Sequence, residues 1–334
     1  MALRAVRILR IMLYKRSKSG RRRKRSKRGK AMFAVGLVSV LWGTTWLASK
    51  VGIKYIPALQ LSGLRHLLGG SMYVLYFALF KKMLPQRHQI WRIIWMSVIM
   101  FVLSNGLSVL SVVYMPSGLG AVVAAITPIW VVILSYVFFK QIKFKIQTVI
   151  GILLGFLGVA ITFFDYVQKI FHSDFSLGII FGLIASLTWG MGTLLTVKQS
   201  KDMDPYFSLG WQMFTSGLIL NAYSYFSGNF VSYDKVPLEA WLSIAYLILI
   251  GSVIAFGAYI YALKRLPATL VSIHSYINPI IAVILGNLMM REDLSWYIAG
   301  GTLVTLGGVY LVNNSFRRKL RKNTSNKSHV TSNK

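Results

Sequence analysis

Residues 31–49 read AMFAVGLVSVLWGTTWLAS, a stretch without a single charged side chain. The hydrocarbon core of a bilayer is about 30 Å thick and a helix rises about 1.5 Å per residue, so about 20 apolar residues cross it. The stretch therefore predicts a membrane-spanning helix. It begins too far from residue 1 for a typical cleaved signal peptide.

Nine further apolar segments of similar length follow this first one along the chain. They run approximately over residues 59–80, 92–113, 117–139, 146–165, 177–197, 206–226, 240–262, 268–290 and 296–315. The connections between them are short, so we expect no water-soluble domain after residue 31. The predicted fold class is an all-α polytopic membrane protein with ten transmembrane helices.

The composition of the whole chain favours the same class. Of its 334 residues, 55% are hydrophobic and 14% are charged, whereas a typical soluble domain has about 25% charged residues. These values exclude an ordinary soluble enzyme and also a disordered chain, which needs low hydrophobicity. The chain has no cysteine, which excludes disulfides, thiolate metal sites and a cysteine nucleophile.

The net charge of +30 would fit a nucleic-acid-binding protein, but its distribution argues against one. Residues 1–30 hold 14 basic residues and residues 316–334 hold 7 more. With both tails inside the cell, the inner loops contain eleven further basic residues and the outer loops five. This bias predicts a multi-pass membrane protein with both termini in the cytoplasm and no nucleic-acid partner.

The two tails, residues 1–30 and 316–334, are predicted as basic cytoplasmic extensions. Residues 1–14 can form a short amphipathic helix on anionic lipid at the membrane surface. A solvated extension explains the same composition, and the sequence leaves both interpretations open.

An internal repeat divides the apolar region into two halves. The motif Ser39-x-x-Trp42-Gly43 recurs as Ser186-x-x-Trp189-Gly190. All eight prolines fall into four ordered pairs, namely Pro57 with Pro205, Pro85 with Pro237, Pro116 with Pro267, and Pro128 with Pro279. We therefore predict five-helix repeats over residues 31–165 and 176–315. Because five is odd, the second repeat enters the membrane in the opposite sense, an arrangement that transporters use for alternating access.

The chain resembles the EamA-type members of the drug/metabolite transporter superfamily. The resemblance rests on the two Trp-Gly motifs, the Pro-x11-Pro of each fourth helix, and the stretch from Asn278-Pro279 through Met290-Arg291-Glu292-Asp293-Leu294, followed by Gly301 and Gly308. It covers roughly residues 31–315. It implies a ten-helix inverted-repeat carrier that exports amino acids, other metabolites or toxic compounds.

The resemblance also implies which helices enclose the cavity: the third, fourth, eighth and ninth, with parts of the first and sixth. One position departs from the family pattern. A glutamate often follows the fourth helix of each half; Glu292 fills this place in the second half, but Gln141 stands in the first. A structural, interfacial role for Glu292 is therefore expected.

Hydroxyl and indole side chains recur every three or four residues on the first and sixth helices, and so share one face of each. Such a stripe suits a cavity wall, although packing between helices uses the same small and hydroxyl residues. On the fourth and ninth helices a proline frees a backbone carbonyl, which predicts a kink and exposes polar groups. The predicted cavity residues are Thr45, Trp46, Asn105, Thr127, Trp130, Trp189, Thr193, Tyr259, His274 and Asn278, with hinges at Pro128 and Pro279.

Two ionisable residues within the predicted helices need separate interpretation. His274 can contact a polar substrate or titrate near neutral pH, or it can be satisfied by a neighbouring helix. Arg65 is expected to snorkel toward the lipid headgroups as a topological or packing residue.

All eight carboxylates lie at or beyond the ends of the predicted spans. A proton or sodium symporter commonly keeps an acid within the membrane, so a facilitator or uniporter is favoured. The sequence has no phosphate loop, no metal-ligand spacing and no nucleophile–base arrangement. We predict no enzyme activity, no cofactor and no metal.

The predicted function is a carrier of small organic solutes, an exporter of amino acids or related metabolites, with an aromatic and polar central cavity. A nucleotide-sugar or phosphate-ester carrier is the alternative within the superfamily; it would need cationic groups in the cavity, and Lys264 and Arg265 come closest. A non-transporting membrane sensor or assembly factor is the alternative from another class. Substrate, direction, coupling ion and oligomeric state stay open.

Overall fold

The computed structural model describes residues 2–139, 146–162, 164–166, 173–272, 274–292, 294–308, 310–311 and 314, with side chains from residue 26 onward apart from residues 166, 173 and 276. The expectations for the carboxyl-terminal tail and for Gln141 lie outside these residues, and the surface contact expected of residues 1–14 depends on side chains outside the described ones. The described part of the chain contains helices and turns and no strand.

Ten consecutive helical units follow the ten predicted segments over the described chain, most of them within a few residues; α1 is the exception, because it begins at Ala2 and includes the predicted amino-terminal tail. They are α1 (Ala2–Gly52), α2 (Ala58–Leu75), α3 (Arg87–Tyr114), α4 (Ser117–Ala124 and Thr127–Phe139), α5 (Ile146–Thr162), α6 (Ser173–Gln199), α7 (Pro205–Phe226), α8 (Leu238–Leu263), α9 (Ala268–Val271 and His274–Met290) and α10 (residues 296–308).

Five of the described helices are long and apolar enough to cross a membrane: Ser26–Gly52, Arg87–Tyr114, Ser117–Phe138, Asp174–Gln199 and Leu238–Leu263. Two shorter apolar helices, Ile146–Thr162 and Ile277–Met290, accompany them. The protein is thus a helical membrane protein with several apolar helices, while the full count of ten spans stays a prediction.

Prolines set where many of these helices begin. Pro57, Pro116, Pro237 and Pro267 each occupy the position before the first helical residue. A proline suits a helix start because the first backbone N–H groups of a helix lack internal partners anyway. At α7, Pro205 follows the capping residue Asp204, whose carboxylate accepts hydrogen bonds from the next two backbone N–H groups.

Irregular turns lie at equivalent places in the two halves. A π-helical segment, Val98–Gly106, interrupts α3, and another, Leu247–Ile254, interrupts α8. In the fourth helix of each half, a short first piece ends before the second proline, four residues before it at Ala124 in α4 and eight residues before it at Val271 in α9. The predicted hinges Pro128 and Pro279 therefore both follow an interruption of the helix.

Equivalent helices of the two halves make equivalent contacts. Helix α1 packs on α8 and α9, and its counterpart α6 packs on α3 and α4. Helix α2 packs on its own counterpart α7. Helices α5 and α10 approach backbone to backbone at Gly158 and Gly301, where an added side chain would strike the facing helix.

The glycine of each Trp-Gly motif permits one of these contacts. A Cβ atom added to Gly43 of α1 would lie 2.8 Å from Cβ of Ile281 on α9, and one added to Gly190 of α6 would lie 3.2 Å from Cβ of Trp130 on α4. Both distances are shorter than an ordinary carbon–carbon contact of about 3.5–4.0 Å. The motif thus brings the first helix of each half against the fourth helix of the other.

Replacing Gly43 by leucine is expected to lower the melting temperature, because α1 would have to move away from α9. Overpacking of this kind costs about 1–3 kcal/mol. Thermal unfolding of the purified protein, followed by tryptophan fluorescence, measures the change.

Gly36→Leu is the matched control, since Gly36 lies on the same helix and nothing lies within 4 Å of its Cβ position. Equal losses of stability in the two variants would contradict the proposed role of the Gly43 contact.

Candidate functional site

A cavity lies between the two halves of the helix assembly. It encloses about 830 Å³ of space, part of which is continuous with solvent. Its wall is formed by residues of α1, α2, α3, α4, α6 and α9. They are Trp42, Thr45, Trp46, Ser49, Arg65, Ser104, Asn105, Ser108, Val109, Val112, Ala121, Ala124, Thr127, Gly182, Ala185, Ser186, Trp189, His274, Ser275 and Asn278.

The hydroxyl and indole stripe of α1 forms one side of this cavity. Trp42, Thr45, Trp46 and Ser49 all line it, and they are spaced three or four residues apart, as residues on one helix face must be. Trp46 reaches toward α4, where its ring would be 2.8 Å from a Cβ added to Gly120. The spacing in the sequence predicted that these residues share one face of the helix, and that face lines the cavity.

An aromatic cluster closes one end of the cavity around Trp42. The ring centroid of Trp42 is 5.1 Å from that of Trp189, 5.0 Å from that of Phe256 and 5.0 Å from that of His274, all edge to face. Edge-to-face packing suits aromatic rings because the positive edge of one meets the negative face of the other. The cluster offers a rigid apolar surface to whatever occupies the cavity.

The two π-helical segments also contribute to the site. In α3, Asn105 lines the cavity and its side-chain amide donates to the carbonyl oxygen of Met100 at 2.9 Å. In α8, the carbonyl oxygen of Gly251 accepts a 3.1 Å hydrogen bond from Nε1 of Trp42. A π-helical turn departs from the regular α-helical pattern of backbone hydrogen bonds. In each of these two segments, a side chain donates to a backbone carbonyl oxygen.

Helix α9 contributes His274 and Asn278, one turn apart. Asn278 is oriented so that its amide nitrogen donates to the carbonyl oxygens of His274 at 2.9 Å and of Ser39 at 2.8 Å, which ties α9 to α1. The side chain of His274 is 4% exposed, and its Nε2 has no hydrogen-bond partner in the described structure. On α4, Thr127 lines the cavity directly before Pro128.

Seven of the ten predicted cavity residues come together at the cavity: Thr45, Trp46, Asn105, Thr127, Trp189, His274 and Asn278. Their contact with substrate stays a prediction.

The structure does not bring the other three predicted residues to the wall. Trp130 is not among the lining residues, but its Nε1 donates to Oγ of Ser186, which is, at 3.0 Å. Thr193 and Tyr259 are buried and bond to each other through their hydroxyls at 2.6 Å, and the ring of Tyr259 belongs to the aromatic cluster, 5.1 Å from that of Trp42.

Contrary to the expectation from the family resemblance, no residue of α8 is in the described lining. Helix α8 instead supports the wall through Phe256, which packs on Trp42, and through Ser252, which bonds to Arg65.

Arg65 of α2 takes a place that the sequence analysis did not expect. Of the two predicted roles, snorkelling toward the headgroups is wrong, because the residue is 4% exposed and lines the cavity, whereas a packing role is compatible with this burial. Its Nε donates to Oγ of Ser252 on α8 at 3.2 Å. The cationic residues named for the alternative carrier lie elsewhere: Lys264 pairs with Asp204 at 3.2 Å, and Arg265 stacks on the ring of Tyr261.

The wall also contains the serines Ser49, Ser104, Ser108, Ser186 and Ser275. Ser49 and Ser186 belong to the hydroxyl and indole stripes of the first and sixth helices, and Ser275 lies beside His274 on the ninth, so the sequence indicated these three; Ser104 and Ser108 were not predicted. Ser104 and Ser108 lie one turn apart on α3, where no motif drew attention to them. No carboxylate belongs to the described wall of the cavity.

A family model for the EamA-like transporter family matches the chain twice, over residues 29–164 and 176–314. The chain belongs to the EamA-like transporter family. The two matches cover nearly all of the apolar region, and each corresponds to one set of five helices.

Two bacterial relatives illustrate how far this EamA-like chain resembles known proteins. The uncharacterized transporter YoaV of Bacillus subtilis is 25% identical over 87% of this chain and 99% of its own length. The uncharacterized inner membrane transporter YedA of Escherichia coli K12 is 27% identical over 83% of this chain and 90% of its own. A crystal structure with 17% sequence identity matches the fold with a TM-score of 0.64, over 84% of this chain and 96% of that one.

Glu292, the glutamate that follows the ninth helix of this EamA-like chain, caps the fourth helix. Its Oε1 accepts hydrogen bonds from the backbone N–H of Ser117 at 2.7 Å and from the Ser117 hydroxyl at 2.8 Å, while Oε2 accepts from the N–H of Gly118 at 3.1 Å. A carboxylate is favoured there because the first N–H groups of a helix are unpaired and carry partial positive charge. Glu292 therefore lies at the interface between the two halves, where this residue of the second half caps a helix of the first.

A second polar contact lies near the same end of the cavity. Nζ of Lys50, near the end of α1, donates to the carbonyl oxygen of Val112 at 2.5 Å, in the last turn of α3, and to that of Met115 at 3.1 Å, the residue directly after α3. A cation suits this position because the last carbonyls of a helix are unpaired and carry partial negative charge. Lys50 and Glu292 together join α1, α3, α4 and α9 at this end.

Glu292→Ala is expected to destabilise the protein by about 1–2 kcal/mol, the usual effect of losing a helix cap. Thermal unfolding of the purified variant measures the loss. Glu239→Ala is the control, because Glu239 lies exposed in the first turn of α8 and caps no other helix among the described residues. A variant of Glu292 as stable as the Glu239 variant would show that the cap contributes nothing.

Proposed function

We propose that this membrane transporter moves small organic solutes by alternating access, and that it exports amino acids or related metabolites. The observation that carries the proposal is the cavity itself, which is lined by α1 and α4 of one half and by their counterparts α6 and α9 of the other, together with α2 and α3. Two halves that share a site can exchange an inward-open and an outward-open shape by rocking against each other. The aromatic and hydroxyl-rich wall offers contact area and orientation to an organic solute.

Several features support an inverted arrangement of ten spans, with repeats over residues 31–165 and 176–315. The family model matches twice, and the π-helical segments recur at equivalent places. In addition, the first helix of each half packs on the third and fourth helices of the other half. An odd number of spans in each repeat then requires opposite orientation of the two. The excess of basic residues in the tails and alternate loops favours a plasma-membrane protein with both termini in the cytoplasm.

The absence of a carboxylate from the described wall favours a facilitator over a proton or sodium symporter. A non-transporting sensor with the same fold would keep the cavity but would not move solute. Comparing the metabolites retained by cells with and without the protein identifies a candidate substrate. Flux of that solute into liposomes containing the purified protein then distinguishes the carrier from the sensor.

His274→Ala is expected to reduce this flux by about tenfold, the usual scale for losing a buried polar contact, while membrane insertion stays intact. His88→Ala is the matched control, since His88 is exposed near the start of α3 and away from the cavity. Undiminished flux in the His274 variant would remove this residue from the site. Unchanged substrate preference in Trp46→Ala would likewise count against the aromatic wall.

The inverted orientation is tested with single thiols, which the cysteine-free chain permits without background labelling. Lys81→Cys and Asn229→Cys place one thiol in each of two equivalent loops, those that follow α2 and α7. We expect a membrane-impermeant maleimide to label residue 229 in intact cells, and residue 81 only after permeabilisation. Labelling of both positions from the same side would overturn the inverted repeat.

A further inference from the structure

The buried guanidinium of Arg65 has far more donors than partners. It has five N–H groups in a planar fork. Within the described residues, one of them, at Nε, finds an acceptor, Oγ of Ser252. The terminal nitrogens Nη1 and Nη2 have no acceptor among the described residues. Arg65 nevertheless lines the cavity and is only 4% exposed.

No anion in the described structure balances this charge. The ion pairs found there join Arg92 to Asp202 and Lys264 to Asp204, and Glu292 caps α4 near one end of the cavity. An unpaired charge away from water is costly. A ligand that brings a negative charge to Arg65 therefore removes a cost that a neutral ligand leaves in place.

The guanidinium of Arg65 lies beside Gly251 and next to the aromatic cluster. A Cβ atom added to Gly251 would lie 3.1 Å from Nη2 of Arg65 and 2.9 Å from Cγ2 of Thr45. The carbonyl oxygen of the same glycine accepts the hydrogen bond from Trp42. The cationic fork and the indole surface are thus neighbours in one wall, close enough to contact two parts of one small solute.

We propose that the cavity selects small organic monocarboxylates, with Arg65 binding the carboxylate and the indoles of Trp42, Trp46 and Trp189 packing on an apolar or aromatic body. The inference rests on the proposed function, because it names the substrate class of the same cavity. A guanidinium matches a carboxylate through two parallel hydrogen bonds, which are strong in surroundings that exclude water. A single cation balances one negative charge, so a dianionic phosphate ester would be left with an unpaired charge.

The test measures binding rather than transport, using purified protein in lipid nanodiscs and tryptophan fluorescence as the readout. The probes are 3-phenylpropionate and its neutral isostere 3-phenylpropionamide, with 2-phenylethyl phosphate as the dianionic comparison. We expect the carboxylate to bind at least about tenfold more tightly than the amide, as charge-assisted hydrogen bonds imply. Equal affinities, tighter binding of the phosphate, or no binding of the carboxylate at millimolar concentration would each overturn the proposal.

Arg65→Gln keeps polar donors at the position and removes the charge. We expect it to abolish the preference for the carboxylate over the amide, and Arg65→Lys, which keeps the charge without the fork, to leave a reduced preference. Arg92→Gln is the control, since Arg92 is exposed and paired with Asp202. Without ligand, the melting temperature of Arg65→Gln should not fall, because an unpaired charge has been removed.

An undiminished preference for the carboxylate in Arg65→Gln would overturn the proposal. If Arg65→Gln does not fold, the comparison of the three probes on the wild-type protein decides it. The result is also separable from the test of transport. Liposome flux restricted to neutral solutes would leave the carrier standing and remove the role of Arg65, whereas binding of carboxylate without any flux would do the reverse.

Discussion

A bilayer provides no water for backbone groups, so each carbonyl and N–H of a spanning chain must find a partner within the protein. This constraint shapes the cavity. Where α3 and α8 adopt π-helical turns and α4 and α9 are interrupted, backbone groups leave the regular ladder, and side chains such as Asn105, Trp42 and Asn278 bond to carbonyls nearby. The irregular backbone and the polar wall thus occur together for one physical reason.

The same constraint explains how two halves form one site. Glu292 and Lys50 satisfy the ends of helices α4 and α3 from a distance in sequence, and Asn278 joins α9 to α1. Each bond removes an unpaired group at the cavity boundary. Arg65 stands apart from this pattern, because most of its donors lack a partner among the described residues. Its unpaired charge makes the cavity asymmetric, cationic on one wall and aromatic beside it.

The sequence predicted the cavity residues best where a local pattern carried the information. The spacing of Thr45 and Trp46 on α1 indicated one face of a helix, and that face lines the cavity. The same reasoning misplaced Trp130 and Tyr259, since it tells which residues share a face but not which neighbour covers that face. For Arg65 the prediction used only the distance of this residue from the helix end. Its contact with Ser252 of α8 could not be predicted from that distance.

By itself, the sequence determined the membrane class, the bounds of most helices within a few residues (α1, which begins at Ala2, is the exception), the duplication and the family, because hydropathy, proline positions and the Trp-Gly motifs are features of local segments. Only the tertiary structure decided that α8 supports the cavity wall without joining its described lining, that Glu292 caps α4, and that Arg65 faces the cavity rather than the headgroups. The physical reason is that these facts depend on which helix faces meet, and those contacts join residues more than a hundred positions apart.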